Sequence, residues 1–416
     1  MRLSVVINTL NRGPSLRRTL RALHHQTSPD FEVVIVNGPS TDDTAAVLRE
    51  SAGAVRVGHC PEVHLSKSRN VGISLASGDV VAFLDDDAIP EPTWAAELLA
   101  AYKTGSVGGA GGVVYDHTGF RLQYRYATCD RVGTPNFDAL PPFDAFNRPD
   151  ADPFVYLQGT NASFRRQCLV QIGGFDEEIE YYLDEVEVCM RVLDLGFQIV
   201  PLANAAVYHK YLASHLRSPK KVILNPYPLV KNRCYFALQN GQRDRSPRKI
   251  RRILLRFADG LRTDCETHFA AGRLTAAQRR FFLQQVDRGL DDGIERGLHG
   301  GRQWRVIPPA DKERFLPYPV IRPEQARRTI CVLLPEGWSV KDSLAQAATE
   351  LAAAGHEVHT IAVCGDTNHV DFEDGIWAHR LVLSERLVPA LQDHPRRTSL
   401  IQATAFYREV DRIHAR

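Results

Sequence analysis

Residues 79–87 read DVVAFLDDD, an apolar run followed at once by three aspartates, Asp85, Asp86 and Asp87. An apolar stretch with no polar alternation predicts a strand buried on both faces. The same texture recurs upstream in LSVVI (Leu3–Ile7) and FEVVIV (Phe31–Val36), with a shorter strand expected at Ala54–Val57. Helical patterns lie between them. Leu16, Leu20 and Leu23 mark a helix over Leu16–His25, and Ser40–Asp43 reads as a capping box that opens a helix running to Glu50. Ser66–Ala76 and Thr93–Tyr102 also carry helical spacing. Strands alternating with helices predict an α/β fold, a doubly wound and mostly parallel sheet covered on both faces. Ligands bind such sheets beyond the carboxyl ends of the strands. The residues just after Ile7, Val36 and Leu84 are therefore the ones to examine.

Three adjacent carboxylates at the end of a buried strand repel one another. A divalent cation relieves that repulsion, and Mg²⁺ or Mn²⁺ favours oxygen ligands of this kind. Held there, it would neutralise a diphosphate leaving group. Helix capping would account for Asp87 alone. Asp184-Glu185 stands near the start of an amphipathic helix, Tyr182–Leu195, with Leu183, Val186, Met190 and Leu193 on one stripe. A carboxylate there can take a proton from a hydroxyl; acids in a first helical turn also simply complement the helix dipole. Taken singly, the other polar candidates have ordinary structural readings too. Asn8–Arg12 is either a nucleotide contact or a plain loop. Arg69 is a phosphate ligand or a surface arginine, and His209 a metal ligand or a structural imidazole. Asp42-Asp43 reads first as helix capping.

The remaining chain changes character three times. Residues 113–155 are rich in Asp, Pro and aromatics and predict a long functional loop, in which Phe137, Phe143 and Phe146 either stack on a bound substrate or anchor the loop. Short strands are expected at Phe154–Leu157, Phe197–Pro201 and Ala205–Tyr208. Residues 216–326 read as a helical, Arg-rich extension. Between Arg243 and Arg256 there are seven basic residues and one acid, beside an apolar stripe of Ile250, Ile253, Leu254, Phe257 and Leu261. That pattern suits either a helix packed on the first domain or a peripheral membrane contact through 243–262. Residues 327–416 restart an α/β pattern, with strands at Thr329–Leu334 and Glu357–Val363, a helix at Ser343–Ala354 and a helical tail. The expected division is thus 1–215, 216–326 and 327–416.

Composition narrows the class. Apolar residues make up 44% of the 416 and charged residues 24%, which excludes a disordered or collagenous chain. A net charge of +2 does not point to nucleic acid. The eight cysteines form no C-x-x-C pair, and reduced thiols in a cytoplasmic protein are the simplest reading. Neither a signal peptide nor a membrane span is evident.

Six segments in order, VVINTLNR, FEVVIVNGPSTDDT, SKSRNVGISLASGDVVAFLDDD, QGTNASFRR, IGGFDEEIEYYLDEVEVCMR and AVYHKY, resemble family 2 glycosyltransferases with the GT-A fold. The resemblance covers about residues 1–240, since VKNRCYFALQNG (Val230–Gly241) looks like this family's C-terminal extension. It implies an inverting sugar transferase that uses a nucleoside-diphosphate sugar and Mn²⁺ or Mg²⁺. Asp85 and Asp87 match the outer acids of the D-x-D motif, with Asp86 between them, at the metal and sugar nucleotide. Thr9, Asn11 and Arg12 fall in the first nucleotide-binding loop, Arg69 near the diphosphate, and His209 at a further metal ligand. Asp184-Glu185 matches a Glu-Asp pair whose second member is the catalytic base. The acid types are swapped here, so Glu185 takes the base position and Asp184 is second choice. Asn37-Gly38 replaces the usual Asp-Asp at the base-reading position, which leaves UDP, dTDP and GDP donors open. The acceptor implied is a glycan or lipid-linked glycan in bacterial surface polysaccharide assembly, at the inner face of the plasma membrane or in the cytoplasm. A homo-oligomer stays open. The alternative is a catalytically silent scaffold or the partner domain of a two-transferase fusion, because RTICVLLPEGW, ELAAAGHEVHTIAV and their surroundings look like the opening of a family 4, GT-B-type enzyme. A sugar-1-phosphate nucleotidyltransferase would need a glycine-rich loop after the first strand, and NTLNRGPS has one glycine.

Overall fold

The computed structural model describes residues 1–138, 143–322, 326–334, 343–363, 367–382, 405–406 and 408–413. In chain order the first domain contains β1 (Leu3–Thr9), α1 (Gly13–His24), β2 (Phe31–Asn37), α2 (Thr44–Glu50), β3 (Arg56–His59), α3 (Leu65–Leu75), β4 (Val80–Leu84), β5 (Ala88–Pro90) and α4 (Trp94–Ala101). There follow β6 (Val107–Tyr115), β7 (Leu122–Tyr124), β8 (Ala127–Cys129), β9 (Pro135–Asn136), β10 (Phe154–Tyr156), β11 (Asn161–Arg165), α5 (Arg166–Gln171), α6 (Asp184–Asp194) and β12 (Gln198–His209). Nine strands form one sheet in the order β3-β2-β1-β4-β11-β6-β12-β5, with β7 on β6. Six of them, β1, β2, β3, β4, β6 and β12, run one way, against β5, β7 and β11. This is the doubly wound, mostly parallel sheet the sequence predicts. Residues of β1, β2 and β4 are buried almost throughout, as continuous apolar strands covered on both faces must be.

The stretch 113–155 is less of a loop than expected. Its start belongs to β6, a central strand that the sequence reading missed because VGGAGGVVY is dense in glycine. The glycines are there for space. A Cβ on Gly112 would lie 1.6 Å from the Ala205 carbonyl oxygen, and one on Gly111 would lie 2.3 Å from that of Asn161. β11 was also missed, and the two short strands expected at 197–208 are one strand, irregular between Leu202 and Val207. Ser40–Asp43 is not a capping box. Asp43 makes no side-chain cap, whereas Asp42 accepts from Gly13 N (3.1 Å) and Thr44 N (3.0 Å), tying the starts of α1 and α2 together. Phe137 is exposed, Phe146 packs against the main core, and the Phe143 side chain lies outside the described residues.

Three helices follow: α7 (Tyr227–Asn240), α8 (Pro247–Ala270) and α9 (Ala276–His299). The expected apolar stripe of α8 is largely consumed here. Ile250, Leu254 and Leu261 of that stripe are buried in a core shared with α7 and α9, and Ile253 and Phe257 pack partly buried against it. On α9, Gly289, Gly293 and Gly297 face α7, where a Cβ on Gly293 would meet the Lys231 carbonyl oxygen at 2.5 Å. The chain then returns to the first domain, where Ile307 and Tyr318 join its core.

The C-terminal part holds β13 (Thr329–Leu334), α10 (Ser343–Ala353), β14 (Glu357–Val363), β15 (His369–Glu373) and β16 (Ile376–Leu381), in the sheet order β13-β14-β16-β15. It has two more strands than the sequence reading assigned. Val370, Phe372 and Trp377 pack on Ile89 and Tyr208, and Lys210 pairs with Asp371 at 3.0 Å.

Candidate active site

A cavity of about 590 Å³ opens over the carboxyl ends of β1 and β4, where the topology of a doubly wound sheet puts ligands. On one wall stand the three aspartates. Asp87 Oδ1 lies 3.2 Å from His209 Nε2, and Asp85 Oδ2 lies 3.6 Å from the same nitrogen. One ligand atom from each of Asp85, Asp87 and His209 falls within 4.8 Å of the others. Two carboxylates and an imidazole offer a divalent cation three ligands. The other ring nitrogen of His209 is 3.1 Å from Gln123 Oε1, a contact that turns Nε2 toward the acids.

The electrostatics agree with a site built to hold positive charge. Burial pushes the Asp85 carboxyl up, with His209 opposing. Asp86, turned inward, is raised by burial and by Asp87. Asp87 goes the other way: burial would raise it, but His209, Arg12 and the Leu212 amide hold it far below the usual carboxylate range. Burial disfavours the His209 imidazolium, yet Asp87 and Asp85 outweigh it and raise its pKa.

Arg12 is not presented as a free cation. Its Nη1 lies 3.1 Å from Asp87 Oδ2 and 3.8 Å from Asp86 Oδ1, and its Nη2 donates to the Ala213 carbonyl. It ties the loop after β1 to the acids and to the loop after β12. Thr9 is buried at the cavity wall. Asn11, left-handed at φ 55°, accepts from Thr41 N at 2.7 Å. Gly38 rather than Asn37 lines the cavity; the Asn37 carboxamide oxygen accepts from Ser40 Oγ at 2.8 Å.

The opposite wall is the start of α6. Asp184 is buried and ion-paired to Arg69, which is buried too and lies 5.4 and 5.1 Å from the ring centres of Phe83 and Phe175. Arg69 also donates to the Gly159 carbonyl at 3.3 Å. Glu185 has no such counter-charge of its own. Burial and then the neighbouring Asp184 raise its carboxyl well above the usual range, with Arg69 opposing. Gly159 leaves the space: a Cβ there would come within 2.8 Å of Arg69 Nη2 and 3.4 Å of Glu185 Cδ. The structure therefore gathers Thr9, Asn11, Arg12, Arg69, Asp85, Asp86, Asp87, Asp184, Glu185 and His209 around one cavity and sets Asn37 behind it.

Residues 4–173 match the family model described as Glycosyl transferase family 2. A glucosyl-dolichyl phosphate glucuronosyltransferase of Haloferax volcanii is 29% identical over 231 residues, 50% of this chain and 69% of the relative. A validoxylamine A glucosyltransferase of Streptomyces hygroscopicus subsp. jinggangensis is 40% identical over 106 residues, 24% of this chain. The chain spans only 25% of that relative's length. Among solved structures, S. aureus TarS 1-349 in complex with UDP-GlcNAc is 19% identical, covering 71% of this chain and 81% of that one at a TM-score of 0.46. The sequence relatives support a glycosyltransferase.

Sequence reasoning missed part of the cavity. Arg217 and Tyr211 line it, with the Arg217 guanidinium 3.5 Å from the Tyr211 ring centre. The basic run after His209, in HKYLASHLR, was the available signal. His64 also lines it; this residue caps α3 by accepting from Lys67 N at 3.2 Å. No sequence pattern marked it.

Proposed function

We propose that this chain transfers a sugar, with inversion, from a nucleoside-diphosphate sugar to a hydroxyl of a glycan or lipid-linked glycan acceptor. One observation carries the reading: a cation-suited Asp85/Asp87/His209 cluster and a raised Glu185 carboxyl, beside the Asp184–Arg69 ion pair, share a single cavity. A bound Mn²⁺ or Mg²⁺ would neutralise the departing diphosphate. Asp85, Asp87 and His209 would hold it. Arg12 keeps Asp87 oriented, and the buried Arg217 offers a further positive charge in the cavity wall. Glu185 takes the proton from the acceptor hydroxyl as its oxygen bonds to the anomeric carbon. The bond from that carbon to the diphosphate oxygen breaks on the far side, and the nucleoside diphosphate leaves. Asp184 cannot fill this role while Arg69 holds it; it orients Arg69 instead.

The glucuronosyltransferase from Haloferax volcanii, named for a dolichyl phosphate substrate, supports a lipid-linked acceptor. No helix among the described residues is long and apolar enough to cross a membrane. For residues 327–416 we propose a packing role. The parallel β13-β14-β16 arrangement with α10 supports the GT-B-like resemblance, while its contacts with Tyr208 and Lys210 place it beside the strand that carries His209. The test is incubation with a panel of labelled UDP, dTDP and GDP sugars and a bacterial lipid extract. Transfer of label to the lipid fraction, with release of one nucleoside diphosphate, is expected. Absence of transfer and of donor turnover across the panel, in folded protein that binds nucleotide, would favour the silent-scaffold reading.

A further inference from the structure

The backbone just ahead of Glu185 adopts a costly conformation. Tyr182 and Leu183 both have φ 64°, the left-handed region that residues with a Cβ seldom occupy, and neither is glycine. Consecutive residues held this way persist only where their surroundings impose it. The turn they make ends at once in α6, whose Glu187 N donates to the Leu183 carbonyl at 2.9 Å. It thereby fixes where Asp184 and Glu185 point.

What imposes it comes from α7. Asn232 is fully buried and donates its carboxamide nitrogen to the Tyr181 carbonyl and, at 3.4 Å, to that of Tyr182. Its carboxamide oxygen accepts nothing among the described residues, so this buried amide is used for its donor alone. The preceding residue, Lys231, donates to the Glu178 carbonyl and pairs with Glu178 at 3.0 Å and Glu180 at 2.7 Å. From the other side α3 holds the same segment, through Leu65 N to the Glu180 carbonyl at 2.9 Å. The α7 end of the clamp is itself seated on the Gly289–Gly293 face of α9.

We propose that Asn232 is a positioning residue for Glu185: its amide holds the left-handed Tyr182–Leu183 turn that aims the base carboxylate into the cavity. The proposal rests on the reading of Glu185 as the base. It gives the Lys231-Asn232 pair, which lies outside the sheet and touches no reacting group, a part in the reaction. A misplacement of the base of about 1 Å costs on the order of 10²-fold in rate.

The test is Asn232→Ala in the full chain. It is expected to lower kcat by about 10–100-fold while leaving KM for the donor near its wild-type value. Amide exchange at Glu185–Glu187 is expected to speed up while the sheet amides stay protected. Leu183→Gly added to Asn232→Ala is expected to restore part of kcat, because glycine adopts a positive φ without the Cβ penalty. If Asn232→Ala does not fold, Asn232→Ser, which keeps a shorter donor, is read by the same measurements and should show the same split. An unchanged kcat with unchanged exchange overturns the proposal. So does a fall in kcat that tracks global melting and is not relieved by Leu183→Gly. An inactive wild type would fail the transferase reading alone, and exchange at Glu185–Glu187 would still decide whether Asn232 holds the turn.

Discussion

Replacing Glu185 by Gln and, separately, Asp184 by Asn should split catalysis from stability between two adjacent residues. Glu185 lacks a counter-ion and is raised by burial, so Gln loses little packing and no ion pair. Removing a positioned general base costs about 10²–10⁴-fold in kcat, or about 3–5 kcal/mol of barrier. Asp184 is different. Its partner Arg69 is 3% exposed, and Asp184→Asn leaves that guanidinium buried without its charge partner. Breaking a buried pair in this way costs about 3–5 kcal/mol of stability. The assays are initial rates across donor and acceptor concentrations and urea unfolding of both variants. The pH dependence carries a sign as well. The folded state holds the Glu185 proton more tightly than the unfolded chain does. Its contribution to stability is thus complete below an ordinary Glu pKa of about 4.3 and is lost as pH rises through the higher folded value. Glu185→Gln should melt higher than wild type on the alkaline side of that window. In wild type the acid limb of kcat should be displaced upward from about 4.3. A Glu185→Gln variant with near wild-type kcat would refute the reasoning. An Asp184→Asn variant that stays stable but loses kcat would move the base to Asp184.

Three further outcomes follow from distances. Gln123→Leu frees the outer nitrogen of His209 and should weaken Mn²⁺ binding by about 10–100-fold, measured by titration calorimetry with nucleotide present. Gly159→Ala forces a Cβ to within 2.8 Å of Arg69 Nη2; it should cut kcat while the folded fraction, followed by circular dichroism, stays unchanged, since the far end of a side chain can yield. Gly112→Ala has no such escape, because the Cβ would sit 1.6 Å from a backbone oxygen of β12; little soluble protein is expected on expression.

The parts of the fold that were legible share one property: their local pattern and their tertiary environment agree. The apolar runs of β1, β2 and β4 are buried as read, and so are Val186, Met190 and Leu193 of the expected α6 stripe; Leu183 is only partly buried, because α6 starts at Asp184 and Leu183 lies in the left-handed turn ahead of it. β6 was illegible because its glycines serve neighbours in space, Ala205 and Asn161, which are far away in sequence. The stripe of α8 read equally well as a membrane face or a core face, and only the presence of α7 and α9 decides between them. At the site, the carboxylates announced themselves as a charge cluster that no strand end needs for its own stability. Arg12 was legible as a site residue but not as a brace on Asp87, and Arg217 carried too ordinary a context to stand out. Asp184 and Glu185 could not be told apart in sequence. Their difference is the position of one arginine, Arg69, 115 residues away.

A cation-dependent donor site at Asp85, Asp87 and His209 should reveal itself in thermal unfolding of the full chain with UDP, dTDP, GDP and CMP, each with and without Mn²⁺, in wild type and Asp87→Ala. Ligand at 100 times its dissociation constant stabilises the protein by about 2.7 kcal/mol, well within reach of the method. A Mn²⁺-dependent upward shift is expected for one nucleoside diphosphate, absent in Asp87→Ala. A shift that ignores Mn²⁺, survives in Asp87→Ala, or fails to appear with any nucleotide would contradict such a site.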